Sequence, residues 1–169
     1  MVVLFITMLI KITVCLAILC FTTAVGYILA SKFRNRKLFF EQLKLFNERF
    51  LREIDYAKRP IKEFIQIYAY KGDFNDILAI YLEKLGHFDD FLSLFPEISY
   101  FTREEERMIC DYFNALGKGD SSTQKSNFSC FDAQLNEYSK KAEIEYKKYA
   151  NLYVKLGVLI GLAIIIIIV

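Results

Sequence analysis

Two uncharged apolar runs, one near each end of the chain, limit what it can fold into more than any other feature. Residues 12–30 are 19 consecutive positions without a charge, rich in Ile, Val, Leu and Ala. At 1.5 Å per residue such a helix spans about the 30 Å of a bilayer's hydrocarbon. Lys11 precedes the run and residues 1–10 are apolar as well, so the span can shift in register or let Lys11 snorkel to a headgroup. A cleaved signal peptide fits poorly, because the starting charge is missing, the run is long, and the basic cluster follows it. The second run, residues 156–169, is 14 long and includes five consecutive isoleucines. It has no polar face with which to sit in a small soluble domain, and Tyr149, Leu152 and Tyr153 add turns at the interface, so it reads as a second membrane segment. Thr22, Thr23, Gly26 and Ala30 put small or hydroxyl side chains along the first span, a pattern suited to helix packing.

Charge separates the ends from the middle. All 20 acidic residues and 21 of the 22 basic ones lie between Lys32 and Lys155, leaving that stretch a net charge of only +1 and no case for nucleic-acid binding. Lys32, Arg34, Arg36 and Lys37 follow the first span; Lys140, Lys141, Lys147, Lys148 and Lys155 precede the second. Basic residues stay on the cytoplasmic side, so the expected organisation is an amino-terminal transmembrane anchor at 1–31, a cytosolic helical domain at 32–155 and a membrane segment at 156–169. The same side chains are available to anionic headgroups. Cys15, Cys20, Cys110 and Cys130 have neither disulfide-framework nor metal-ligand spacing and read as apolar fillers in a reducing compartment. Asn127-Phe128-Ser129 matches a glycosylation triplet that matters only in a secretory lumen, which the charge pattern argues against.

Within the middle stretch apolar residues recur at three and four. Leu43, Phe46, Phe50 and Ile54 share one helix face; Pro60 then starts a second helix striped by Ile61, Phe64, Ile65 and Tyr68. Lys71-Gly72-Asp73 closes that helix and caps a third, carrying Phe74, Ile77, Leu78, Tyr81, Leu82 and Leu85. Phe88, Phe91, Leu92 and Phe95 form a short element ended by Pro96. Thr102 with Glu105 is a capping box ahead of Ile109, Tyr112, Phe113 and Leu116. Gly117 and Gly119 break the chain, and Asp120 or Ser121 caps a last helix. Its stripe, Phe128, Phe131, Leu135, Tyr138, Ala142, Tyr149, Leu152 and Leu156, runs on into the apolar tail with Glu145 as its one misfit. The expected fold is all-α, an antiparallel bundle of five to six helices flanked by an N-terminal and a C-terminal transmembrane helix, with an aromatic core.

Catalytic constellations are missing from this pattern. His87 is the single histidine, which removes most imidazole catalysis and most zinc geometries, and it reads as a cap or surface residue. Residues 116–120 lack the spacing of a phosphate loop and follow no strand. Glu104, Glu105 and Glu106 sit where a helix dipole favours acids, although a basic partner surface is a second use for them. An enzyme would be revived by a polar pocket around His87, Asp89 and Asp90. No catalytic, cofactor-binding or metal residues are assigned, and no charge beyond Lys11 lies in either span to line a transport path.

Leu116-Gly117, Asp120 and Gln124, then Lys147-Lys148-Tyr149, then Lys155-Leu156-Gly157 with Gly161, placed between two terminal anchors, carry a resemblance. In this order and length the chain resembles the stage III sporulation protein AB family of endospore-forming bacteria over essentially its whole length. It departs from the family pattern at Lys118-Gly119, where a second leucine-glycine pair is usual. The resemblance implies a non-enzymatic membrane platform in the mother cell to forespore transenvelope complex required for sporulation. The platform would sit in the mother-cell membrane facing the forespore and resemble the inner-membrane platform domains of type II secretion and type IV pilus systems. Its implied partners are a secretion-type ATPase, other membrane components of the channel, the lipid bilayer and, as a further option, copies of itself. The alternative is a membrane adaptor of a pilus or secretion system outside sporulation. Leu116, Gly117, Asp120, Gln124, Lys147 and Lys148 are the partner-contact or turn candidates.

Overall fold

The computed structural model describes residues 2–56, 59–85, 91 and 98–168, with only the backbone of residues 2–5, 7, 84 and 168. Among the described residues the fold is all-α: α1 (Val2–Tyr56), α2 (Ile61–Ile67), α3 (Asp73–Lys84), α4 (Arg103–Ala115), and a last helix in three pieces, α5 (Ser121–Glu145), a π-helical turn (Tyr146–Ala150) and α6 (Asn151–Ile168). The chain divides into two compact units, Asn35–Glu143 and Met1–Arg34 with Ile144–Val169, and α1 contributes residues to both.

In the Asn35–Glu143 unit the second half of α1 is the central element. Phe39, Phe40, Leu43, Phe46, Phe50 and Ile54 are buried at three-and-four spacing. The Phe46 ring lies within 6.3 Å of the rings of Phe50, Phe64, Tyr70, Phe74 and Tyr112, centroid to centroid. Burying each such ring stabilises by about 1.5–3 kcal/mol before entropy, and edge-to-face pairs add to that. Pro60 stands immediately before α2, where its missing N–H costs nothing. Helix α2 is shorter than its stripe suggested: it ends at Ile67, and Tyr68 is extended with its ring 4.3 Å from the Arg49 guanidinium carbon. A cation over an aromatic face thus replaces the expected burial of Tyr68. Gly72, at φ 63°, makes the turn into α3, where Phe74, Ile77, Leu78 and Tyr81 are buried. The short element expected around Phe88–Phe95 lies outside the described residues except Phe91, which is buried and donates its N–H to the Asn114 side chain at 2.8 Å. His87, Asp89 and Asp90 also lie outside them.

Two polar devices are built into this core. Thr102 and Glu105 form the expected capping box of α4. The same Glu105 carboxylate, 1% exposed, accepts from Arg36 Nη2 at 2.6 Å and from Nε at 3.0 and 3.2 Å. Arg36, read in the sequence as a residue available to headgroups, is therefore buried in an ion pair, and Glu105 is not an acidic surface residue for a partner. Lys37 pairs instead with Glu41 on the same helix at 3.3 Å. Asn47, fully buried, donates to the Phe128 carbonyl at 3.2 Å and the Asp132 carboxylate at 3.3 Å, and accepts from the Tyr112 hydroxyl at 3.2 Å. Burial pushes the Tyr112 phenol well above its ordinary pKa and keeps it a donor.

The other unit pairs the first half of α1 with α6 through small residues. Gly26 and Gly157 meet backbone to backbone: a Cβ on Gly26 would lie 2.6 Å from the Tyr153 carbonyl and 3.3 Å from the Gly157 Cα. Gly161 packs on Leu19 and Thr22 one turn further on. The small-residue face expected at Gly26 and Ala30 is thus a packing face, as close backbone approach requires. The stripe continuing to Leu152 and Leu156 is corrected. Both are exposed, while Gly157 and Gly161 are buried. The π-helical turn at Tyr146–Ala150 takes up one extra residue, which rotates everything after it by about 100° relative to an unbroken α-helix. Helix α1 and the α5–α6 helix each contain an 18-residue stretch apolar enough to cross a membrane, and only 6% and 17% of those stretches are buried. That exposure separates them from buried core helices and suits membrane anchors.

Candidate functional site

The turn between α4 and α5 is made by residues whose local chemistry leaves few other conformations. Helix α4 stops at Leu116, whose side chain is buried and whose carbonyl accepts the Tyr81 hydroxyl at 2.9 Å. Burial raises the Tyr81 pKa and keeps it a donor. Gly117 follows at φ 75°, a left-handed conformation that L side chains rarely adopt, and a Cβ there would sit 3.3 Å from Ile61 Cγ2. Asp120 then caps α5, accepting the Thr123 amide at 3.0 Å and the Ser122 hydroxyl at 2.9 Å. Hydrogen bonds from Thr123 first, and from Ser122, hold its carboxyl below the usual range. Gln124 returns its side-chain amide to the Gly119 carbonyl at 3.1 Å.

This turn forms one wall of a groove of about 230 Å³ in the Asn35–Glu143 unit. Gly117, Ser121 and Gln124 face Phe50, Glu53 and Ile54 of α1 and Arg59, Pro60 and Ile61 at the start of α2. Glu53 is 6% exposed and holds Arg59 through a 2.8 Å ion pair, while Lys125 reaches Asp55 at 2.7 Å. Its lining combines the apolar Phe50, Ile54, Pro60 and Ile61 with the Glu53–Arg59 ion pair and the polar Ser121 and Gln124. Leu116 belongs to the support beneath it, Gly117 and Gln124 to its wall, and Asp120 to the exposed start of α5. Lys147 and Lys148 belong to the other unit, exposed on the π-helical turn, with Lys148 Nζ 5.0 Å from the Tyr149 ring centre.

Sequence reasoning found the turn but not its opposite wall. Glu53 and Arg59 carry no local signature, since Glu53 lies in a helix and Arg59 beyond its end, and only folding brings the Gly117–Gln124 turn to them. Among the described residues no group of three or more His, Cys, Asp or Glu side chains is placed to hold a metal ion. Cys15, Cys20, Cys110 and Cys130 are not joined in disulfides.

A family model described as Stage III sporulation protein AB matches residues 11–169. No curated protein and no solved structure matches the chain.

Proposed function

The chain belongs to the Stage III sporulation protein AB family, and from that premise we propose that it is a membrane platform of the mother cell to forespore transenvelope complex that docks a secretion-type ATPase. Membership makes it a sporulation protein with a scaffolding rather than a catalytic role. The central domain is placed by this reading in the cytosol of the mother cell, with the anchors in the membrane that faces the forespore. The supporting charge argument is the concentration of Lys and Arg on the domain side of both apolar runs.

The observation that carries the docking reading is the groove beside the Gly117–Gln124 turn, a concave surface lined by apolar residues and one ion pair. Its wall needs a glycine at φ 75° and a doubly bonded cap at Asp120. The two charged residues that line it, Glu53 and Arg59, are paired with each other at 2.8 Å. A cytosolic motor needs such a preformed surface on its membrane partner, because ordering a loop at the moment of contact would cost affinity. Lys147 and Lys148 are assigned to membrane seating or to a second contact.

Site-specific photocrosslinking in sporulating cells from Ser121 and Gln124, on the groove wall, tests this. Capture of a secretion-type ATPase supports the platform role and locates the contact. Capture of membrane proteins alone, with the ATPase demonstrably present, would replace it with channel scaffolding and leave the turn as a cap.

A further inference from the structure

Along one side of the Gly26–Gly157 crossing runs a furrow of about 320 Å³, walled by Phe21, Val25, Leu29, Leu156 and Ile160. It exists because two glycines bring the backbones together where side chains would otherwise fill the space. Over Phe21 to Leu29 it extends roughly 12 Å along α1 at 1.5 Å per residue. Nothing on its walls asks for a polar ligand. The Thr22 hydroxyl, the one polar side chain beside Tyr153 at the furrow, is already bonded to the Ile18 and Leu19 carbonyls at 3.0 and 3.1 Å. The matching occupant for this stretch is a hydrocarbon chain.

One end of the furrow has different chemistry. Tyr153 lines it there and stacks on Phe33, ring centres 5.6 Å apart, and Phe33 meets Tyr149 at 5.4 Å. Aromatic rings of this kind mark the depth at which hydrocarbon gives way to headgroups. Two exposed lysines follow in that direction: Lys148, its Nζ 5.0 Å from the Tyr149 ring centre, and Lys32, whose spacing three residues past Leu29 puts it on the same face of α1. An apolar slot that ends in an aromatic collar and two cations has the charge order of an anionic phospholipid.

We propose that the anchor unit binds one anionic phospholipid, with an acyl chain in the furrow over Gly26 and Gly157 and the phosphate between Lys32 and Lys148. A second copy of this chain is disfavoured as the occupant. A parallel copy would bring its own Lys32 and Lys148 to the same depth, placing like charges together at the collar.

Native mass spectrometry of the full chain released from nanodiscs of mixed phosphatidylglycerol and phosphatidylcholine reads this directly. The expected result is one retained phosphatidylglycerol per chain. Each of Lys32→Gln and Lys148→Gln should weaken retention about fivefold, the effect of one basic residue at an anionic surface. Lys140→Gln with Lys141→Gln, in the other unit, removes twice the charge of either single variant and should leave retention unchanged. Val25→Phe, which fills the furrow from its open side, should reduce retention without altering helical content. Equal retention of phosphatidylcholine, equal loss in the Lys140/Lys141 variant, or a dimer mass in place of the lipid adduct would each overturn the assignment. The readout requires no partner protein, so its failure is separate from failure of the docking role.

Discussion

Removing either member of the Arg36–Glu105 pair leaves its partner charged in a site it cannot hydrate. The two side chains are 6% and 1% exposed, and their three N–O contacts run from 2.6 to 3.2 Å. Breaking a buried pair on one side costs about 3–5 kcal/mol, a large share of the roughly 5–15 kcal/mol that holds a domain of this size. Arg36→Met keeps much of the apolar stem and removes only the charge and its donors. Glu105→Gln keeps an oxygen for the Thr102 amide, bonded at 2.9 Å, so the capping box survives and the loss reports the ion pair. The double variant Arg36→Met/Glu105→Gln buries no unpaired charge and should recover about 2 kcal/mol relative to the summed singles, within the range of coupling seen for direct contacts. The measurement is denaturant unfolding of the full chain in zwitterionic detergent, followed by tyrosine fluorescence, since the chain has 11 tyrosines and no tryptophan. Single-variant losses below about 1 kcal/mol that simply add in the double would show a solvated pair and refute the reasoning.

Gly117→Ala imposes a left-handed conformation on an L residue and crowds Ile61 Cγ2 at 3.3 Å, so about 1–2 kcal/mol should be lost, with weaker crosslinking from Gln124. Asp120 has a depressed pKa, so its cap contributes stability above the unfolded carboxylate range and loses it as pH falls through the folded value. The protection factor of the Thr123 amide, its exchange corrected for the intrinsic slowing at low pH, should therefore fall on acidification, whereas Asp120→Asn should flatten that dependence while keeping a capping oxygen; the same acid response in both chains would assign it elsewhere. Lys147→Glu with Lys148→Glu should reduce recovery of the membrane complex while domain stability stays within about 0.5 kcal/mol, as expected of exposed positions. Unchanged recovery and membrane placement would remove both lysines from the contact surface.

Short-range interactions were legible in the amino-acid order. The Thr102–Glu105 capping box, the glycine turn at Gly117, the cap at Asp120 and the stripe of Phe74, Ile77, Leu78 and Tyr81 each depend on residues within a turn or two, where spacing determines contact. The two apolar runs and their flanking charges were equally plain, because transfer to hydrocarbon depends on composition more than on packing. The partner of Arg36 was not legible: 69 positions separate it from Glu105, and a basic residue after an apolar run reads as interfacial until the fold encloses it. Asn47, bonded to residues 65 and 81 positions away, is likewise an ordinary helix residue in sequence. The exposure of Leu152 and Leu156 follows from a π-helical turn that periodicity, which assumes 3.6 residues per turn, cannot register. Local patterns therefore determined which segments are helical and which are apolar enough for a membrane. Only tertiary packing decided which polar groups are buried and which face of the last helix is covered, because those depend on distant residues arriving at the same place.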